Sequence, residues 1–370
     1  MAAPRVVIVL PPREVFSPGG TGAVGLVVHR LARAPSAFEA VVAGPPTAAP
    51  FADTRFVAVR PARFRLSQTR RFALGVARLI APAPPALIEV HNRPDVALAL
   101  ARRFPAVPVA LFLHNDPRGM RGARTPAERT NLLRRLARVA TVSDFLRRQF
   151  AEGVRDARVA VLPNCVELDT LPPAGARERL ILFAGRVVAD KGADAFVQAC
   201  AAALPRLPGW RAELLGADRF GADSPETPYL RALRPKAAAA GVAMPGWRPH
   251  AEVIAAMARA AIVVVPSRWP EPFGLAALEA MACGAAVLAA PRGGLPEVVG
   301  AVGVPIDPDA PESIAEAIMA LARDPARCVI LGEAGRRRAA GFDVGHAVAT
   351  LDALRRQTLA AWPRAAARPI

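Results

Sequence analysis

The chain has 370 residues, 53% of them hydrophobic, and carries 48 Lys plus Arg against 31 Asp plus Glu, a formal net charge of +17. That length accommodates two domains with cores of their own, and no apolar run reaches the roughly 18 residues that a membrane-spanning helix needs. Four scattered cysteines give no spacing for a disulfide framework or a metal site, and a single Tyr leaves few stacking platforms for nucleic acid.

The charge is uneven. Residues 1–170 hold 25 Arg and no Lys against 12 acids, and the remainder holds 23 Lys plus Arg against 19 acids. Forty-six Arg beside only 2 Lys, with abundant Ala and Pro, is the bias of a GC-rich genome. That bias explains Arg over Lys but not an excess over acids confined to one half. A basic first half suits an anionic membrane surface, a phosphorylated glycan or nucleic acid.

In chain order, Arg5 to Leu10 reads as a buried first strand. Its apolar core is too short for a signal peptide and runs straight into Pro11-Pro12, so cytoplasm is the default expectation. Gly20-Thr-Gly-Ala-Val-Gly25 is formally G-x-G-x-x-G. A dinucleotide site needs those glycines directly after the strand and an acid about 20 residues on. Here a loop intervenes, and the second strand ends Val42-Ala-Gly without an acid, so a dinucleotide reading fails.

Further strands are expected at Ala40–Ala43, Phe56–Val59, Ala86–Val90, Val107–Leu113, Val139–Val142 and Val159–Leu162. Helical patterns separate them at Gly22–Ala34, Ser67–Ile80, Pro94–Arg103, Pro126–Ala137 and Asp144–Glu152. Leu171-Pro-Pro-Ala-Gly175 breaks the pattern and reads as a linker. Strands resume at Leu180–Ala184, Ala212–Leu215, Val242–Met244, Ala261–Val265, Ala286–Ala289 and Val302–Pro305, and the stretch from Pro311 is helical. Strand and helix alternating throughout predicts an α/β architecture with parallel sheets. The expected domains are 1–170 and 176–343.

The most informative stretch runs from Pro266 to Gly284. Glu271 and Glu279 stand eight positions apart, the first crowded by Pro270, Pro272 and Gly274, the second carried on an Ala/Leu-rich helix. The order is buried strand, rigid loop, helix start. A helix start suits a phosphate, whereas carboxylates suit hydroxyls, and phosphate plus hydroxyls describes a nucleotide sugar.

This segment resembles the donor-site signature of the family-4 retaining glycosyltransferases (glycosyl transferases group 1), whose fold, GT-B, sets two Rossmann-like domains facing a cleft. The resemblance implies donor binding in the second domain and acceptor binding mainly in the first. It also implies that the last helix, 344–362 here, crosses back to the first domain. Ala184-Gly-Arg-Val-Val-Ala-Asp-Lys-Gly192 is similar to the family's G-R-x-x-x-x-K-G segment. Arg186 and Lys191 are then expected on the diphosphate, neutralising it as it departs. Glu279 is expected on the ribose and Glu271 on the transferred sugar, with the backbone of Phe273, Gly274 and Leu275 facing phosphate and sugar. Gly19 and Gly20 match the family's Gly-Gly loop, which implies that they bind the donor, opening the first helix near its phosphates and the acceptor. His114 matches its cleft histidine, with His91 second, and Trp247 is a further candidate in Pro245-Gly-Trp-Arg-Pro-His250, which stands where the family has a loop flanking the nucleobase.

Gly293-Gly294-Leu-Pro-Glu297 resembles the family's G-G-x-x-E segment, and Glu297 is expected to be structural. Thr141-Val-Ser143 and Pro163-Asn-Cys-Val-Glu167 resemble two more segments, the latter departing at Cys165 and Glu167. The implied reaction moves a sugar from a UDP-sugar, or next a GDP-sugar, to a glycan or lipid-linked acceptor in cell-surface polysaccharide or lipopolysaccharide synthesis. The resemblance implies no metal and no other cofactor, and consistently no Asp-x-Asp signature stands in a suitable loop.

Arg60, Arg63, Arg65, Arg70, Arg71 and Arg78, interleaved with Leu66, Phe72, Leu74 and Leu79, suggest a basic amphipathic helix resting on anionic lipid at the inner face of the plasma membrane. The competing readings are a non-catalytic GT-B scaffold or coat-type protein, and a GT-B sugar epimerase or phosphorylase.

Overall fold

The computed structural model describes residues 3–362 apart from 63–66, 174, 220 and 222–223. The chain divides into two compact units. Unit 1 comprises residues up to Cys165 together with those from Val344 on, and unit 2 is Val166–Asp343.

Unit 1 alternates β1 (Arg5–Val9), α1 (Ala23–Arg33), β2 (Glu39–Gly44), β3 (Phe56–Ala58), α2 (Gln68–Ile80), β4 (Leu87–His91), α3 (Pro94–Arg103), β5 (Val109–Leu113), α4 (Pro126–Arg135), β6 (Arg138–Thr141), α5 (Asp144–Ala151) and β7 (Ala160–Val161). The sheet order is β3-β2-β1-β4-β5-β6-β7, every pairing parallel. Helices cover both faces of such a sheet, so its central strands are apolar throughout rather than alternating. The central strands β4 and β5 are buried along their whole lengths.

Helix boundaries follow local chemistry. Pro94 starts α3 at a position where a missing N–H costs nothing. Thr125 and Glu128 close a reciprocal capping box on α4, and Ser143 caps α5 by accepting the Leu146 N–H. Helix α2 turns Phe72, Val76 and Ile80 into the core and leaves Leu74 exposed. Phe72, read above as part of a lipid-facing surface, is therefore a core residue. Leu79 packs against the same core, while Arg63, Arg65 and Leu66 lie outside the described residues.

Unit 2 repeats the plan with β8 (Glu178–Ala184), α6 (Ala193–Ala203), β9 (Arg211–Leu215), α7 (Pro228–Ala239), β10 (Val242–Gly246), α8 (His250–Arg259), β11 (Ala260–Val265), α9 (Leu275–Ala282), β12 (Ala286–Ala289), α10 (Leu295–Val299), β13 (Val304–Pro305), α11 (Pro311–Ala322) and α12 (Pro325–Ala340). Its parallel sheet runs β10-β9-β8-β11-β12-β13. Both sheets share one logic: chain order reverses beside the first strand, between β1 and β4 and between β8 and β11. Ligands of open α/β sheets bind at that switch point, beyond the carboxyl ends of the strands.

Helix α13 (Val344–Ala361) belongs to unit 1. Its Arg355 donates to both Glu89 oxygens on β4, at 2.9 and 2.8 Å, and to Asp352 at 3.3 Å. Asp352 in turn accepts from Ser36 Oγ and the Ala37 N–H, each at 2.8 Å. Glu89 and Arg355 are each 2% exposed, so this pair is a desolvated one whose members cannot be removed singly at low cost.

Candidate functional site

The switch point of unit 2 brings two of its sequence-predicted residues, Lys191 and Glu271, into contact. Lys191 leaves the loop after β8 and Glu271 the loop after β11, and Lys191 Nζ donates to Glu271 Oε1 at 2.5 Å. The same oxygen accepts from Ser267 Oγ at 2.5 Å. Glu271 is 7% exposed, so the cation and the hydroxyl compensate a carboxylate taken largely out of water. Glu279, on the second turn of α9, is 5% exposed, and its Oε1 lies 2.9 Å from His250 Nε2 at the start of α8. Arg186 is half-buried and has no ion-pair partner among the described residues. Trp247 is half-buried in the loop between β10 and α8.

Two glycines shape the loop that carries Glu271. Gly274 begins α9 with φ +107, and a Cβ there would lie 2.4 Å from Leu295 Cδ2. The tight entry leaves the N–H groups of Leu275 and Ala276 at the open end of the helix, without hydrogen-bond partners among the described residues. Gly293 has φ +66, and a Cβ would sit 2.3 Å from the Glu271 carbonyl oxygen, while the Gly294 N–H donates to that carbonyl at 2.6 Å. The Gly-Gly pair thus supports the Glu271 loop from behind. The side chain of Phe273 is buried edge-on to Phe342, with ring centroids 5.8 Å apart, which leaves only its backbone for a ligand. Glu297 lends its carbonyl to Arg338 at 2.6 Å, in keeping with a structural role.

Sequence reasoning missed the brace behind this site. Arg268 donates to both Asp194 oxygens, at 2.7 and 3.0 Å, and to Asp309 at 3.1 Å. The amides of Arg268 and Trp269 both reach the Asp190 carbonyl at 2.9 Å, tying the Glu271 loop to the Lys191 turn. Ser267 and His250 were also missed. Ser267 was legible in principle, being four residues before a buried acid, but His250 was not, because it meets Glu279 only through the packing of α8 on α9.

In unit 1, His91 ends β4 and His114 follows β5, and the two rings meet: His91 Nδ1 lies 2.8 Å from His114 Nε2. Burial pushes the His91 ring down to about 3, with repulsion from Arg355 adding to it. Burial likewise holds His114 well below the usual imidazole range, with His91 contributing. Both rings are therefore neutral at physiological pH. Gly19 and Gly20 lie in a turn closed on Ser17, and a Cβ on Gly19 would meet nothing nearer than 3.9 Å.

At the start of α1 the Gly22 and Gly25 amides donate to Glu14 Oε1 at 2.9 and 3.1 Å. Burial raises the Glu14 pKa, opposed by those two amide bonds. Ser143, from the T-x-S segment, is spent on capping α5. Among the described residues no cluster of three His, Cys, Asp or Glu side chains suits a metal ion, and no helix is long and apolar enough to cross a membrane.

Comparison with known proteins agrees with this geometry. The sequence profile of the family described as "Glycosyl transferases group 1" matches residues 172–338, and that of "Glycosyltransferase Family 4" matches residues 22–170. The chain belongs to the family-4 glycosyltransferases of the GT-B fold. It is 32% identical over 213 residues to a D-inositol 3-phosphate glycosyltransferase of Nocardiopsis dassonvillei, an alignment covering 53% of this chain and 50% of that protein. A protein of the same description from Segniliparus rotundus is 35% identical over 198 residues, covering 50% of this chain and 44% of that one. The chain thus spans about half the length of the curated relatives it matches.

Among solved structures, sucrose-phosphate synthase from Thermosynechococcus elongatus aligns with TM-score 0.78 at 20% identity, over 96% of this chain and 100% of that one. Anabaena HepE in complex with UDP and glucose aligns with TM-score 0.75 at 20% identity, over 96% and 99%. At such identities the likeness is one of fold.

Proposed function

We propose that the chain is a retaining transferase that takes a sugar from a nucleotide-diphosphate sugar, with UDP preferred and GDP next. One observation carries the reading: Lys191 and Glu271, both required by the donor signature, meet at 2.5 Å on the switch point of unit 2, with buried Glu279 on the helix that follows. Arg186, which lacks an ion-pair partner among the described residues, and Lys191 supply positive charge for a departing diphosphate. The open amides of α9 add to that charge. Glu279 takes the ribose hydroxyls, and Glu271 takes hydroxyls of the transferred sugar.

His114 hydrogen-bonds the transferred sugar, and the transfer uses no metal and no covalent carboxylate nucleophile. Donor binding trades part of the Lys191–Glu271 ion pair for contacts to phosphate and sugar.

The proposed acceptor is a glycan or lipid-linked sugar of cell-surface polysaccharide or lipopolysaccharide synthesis. The relatives' description makes D-inositol 3-phosphate a second acceptor to assay. We place the reaction in the cytoplasm, which suits four cysteines that are all free. Contact with anionic membrane is proposed through the exposed face of α2, where Arg70 and Arg78 flank Leu74. A thermal-shift screen across nucleotide sugars tests the donor assignment, since a ligand that binds only the folded protein raises its apparent stability. Stabilisation by UDP or a UDP-sugar supports it, and indifference to every nucleotide favours a scaffold role.

A further inference from the structure

We propose that His91 is a positioning residue for His114: it accepts the His114 Nε2–H, fixing that ring in one tautomer with Nδ1 left as a hydrogen-bond acceptor for a substrate hydroxyl. The functional half of this inference rests on the sugar contact proposed above for His114.

The geometry allows little freedom. The ring nitrogens are 2.8 Å apart, so a neutral pair holds one proton between them. Both rings are held in place from behind. The His114 amide donates to Asn92 Oδ1 at 2.7 Å, and Asn92 stands in the left-handed region at φ 53 with its own amide on the Phe112 carbonyl at 2.8 Å. The His91 ring stacks on Phe112, centroids 5.2 Å apart and planes 11° from parallel.

The direction of the hydrogen bond follows from what lies behind His91. A small cavity of about 20 Å³ is lined by Glu89, His91, His114 and Asn164 together with apolar side chains of the same unit. Asn164 is 7% exposed, and its Oδ1 is buried without a hydrogen-bond partner among the described residues. Glu89 is already committed to Arg355. The cavity therefore presents acceptors and needs a donor. If His91 donated to His114, its Nε2 would be one more lone pair in a cavity that already holds the Asn164 Oδ1 and Glu89 oxygens, and a single water has only two hydrogens to serve them. If His114 donates, His91 carries its proton on Nε2, and the cavity, with room for one water, can link that N–H to Asn164. An N–H facing acceptor oxygens is favoured over a lone pair facing them, which selects one tautomer of the pair.

The test uses the whole chain labelled with ¹⁵N-histidine and two-bond ¹H–¹⁵N correlation at neutral pH. The expected spectrum shows His114 protonated on Nε2 and bare on Nδ1, and His91 protonated on Nε2. His91→Phe keeps the ring volume but removes the acceptor, so His114 should lose its single pattern, and UDP release from UDP-glucose should fall about tenfold, the worth of one hydrogen bond. His91→Asn, which returns an amide near the Nδ1 position, should restore both. A wild-type His114 protonated on Nδ1 overturns the inference, as does an unchanged His114 pattern in His91→Phe. Should His91→Phe fail to fold, the wild-type spectrum alone decides. Full activity in His114→Ala would instead overturn the role proposed for His114 itself, a failure the spectra separate from a wrong tautomer.

Discussion

Lys191 and Glu271 come from loops 80 positions apart and meet at 2.5 Å, Nζ to Oε1, on the carboxyl side of two adjacent parallel strands. Each residue is awkward alone. The acid is buried against a helix start, and the lysine is partly withdrawn from water. Together they neutralise one another, and in the function proposed above a sugar diphosphate takes over part of each partner's role. Lys191→Ala is expected to lower kcat/KM for the donor by roughly ten to a hundred fold, the range for one charge-assisted hydrogen bond. Steady-state kinetics with UDP-glucose as first donor reads this directly, and an unchanged kcat/KM removes Lys191 from the site.

Glu271→Gln keeps the shape of the side chain but releases Lys191 and weakens the grip on sugar hydroxyls. The expected outcome is a fall in turnover with little loss of affinity for UDP alone, since UDP lacks the transferred sugar. Equal losses for UDP and UDP-sugar would place Glu271 on the nucleotide instead.

Gly293→Ala tests the backing of the loop. The added methyl meets the Glu271 backbone at 2.3 Å in a backbone conformation unfavourable to alanine. A cost of about 1–3 kcal/mol is expected in stability, with a donor KM raised several-fold because Glu271 is displaced. Unchanged melting and kinetics would show that the loop shifts freely.

Arg355→Met strands Glu89 without its partner in the core of unit 1 and is expected to cost about 3–5 kcal/mol in urea unfolding. Adding Glu89→Leu should recover much of that loss, because the uncompensated charge goes too. Failure of the double variant to recover would mean that the pair orients α13 rather than merely neutralising charge.

Acid should weaken unit 1 through its histidine pair. His91 titrates near 3 in the folded chain against an ordinary value of 6.5, so the unfolded chain binds more protons between those limits. Stability therefore falls as pH drops from about 6.5 toward 3, by up to about 1.4 kcal/mol per pH unit for each histidine so held. His91→Asn should flatten that slope in pH-dependent denaturation, and an identical slope would show that the ring is not buried neutral.

Much of this was legible in the sequence. Continuous apolar runs such as Val109–Leu113 located the buried parallel strands because both faces of such a sheet are covered. The short strand β13 ran shorter than its apolar run suggested. Glu271, Glu279, Arg186 and Lys191 were singled out by resemblance to family segments whose spacing is local, each segment spanning the loop between a strand and a helix. What stayed hidden was the chemistry that depends on distant packing. His91 and His114 were each visible as strand-end residues, but nothing along the chain said that their rings touch. Glu14 looked like a loop residue, and its capture of the α1 amides needs the fold of Pro11–Gly20. The basic segment around α2 misled in part, because a helix that turns Phe72 inward shares its residue types with one that turns it toward lipid.

The central claim is that unit 2 binds a nucleotide diphosphate through Arg186 and Lys191. Titration calorimetry of UDP into the wild-type chain and into the Arg186→Ala/Lys191→Ala double variant tests it most directly. The account predicts saturable binding to the wild type that weakens at least a hundredfold in the double variant, two charge-assisted contacts being lost. Undiminished UDP binding by the double variant, or binding of neither UDP nor GDP by the wild type, would contradict it.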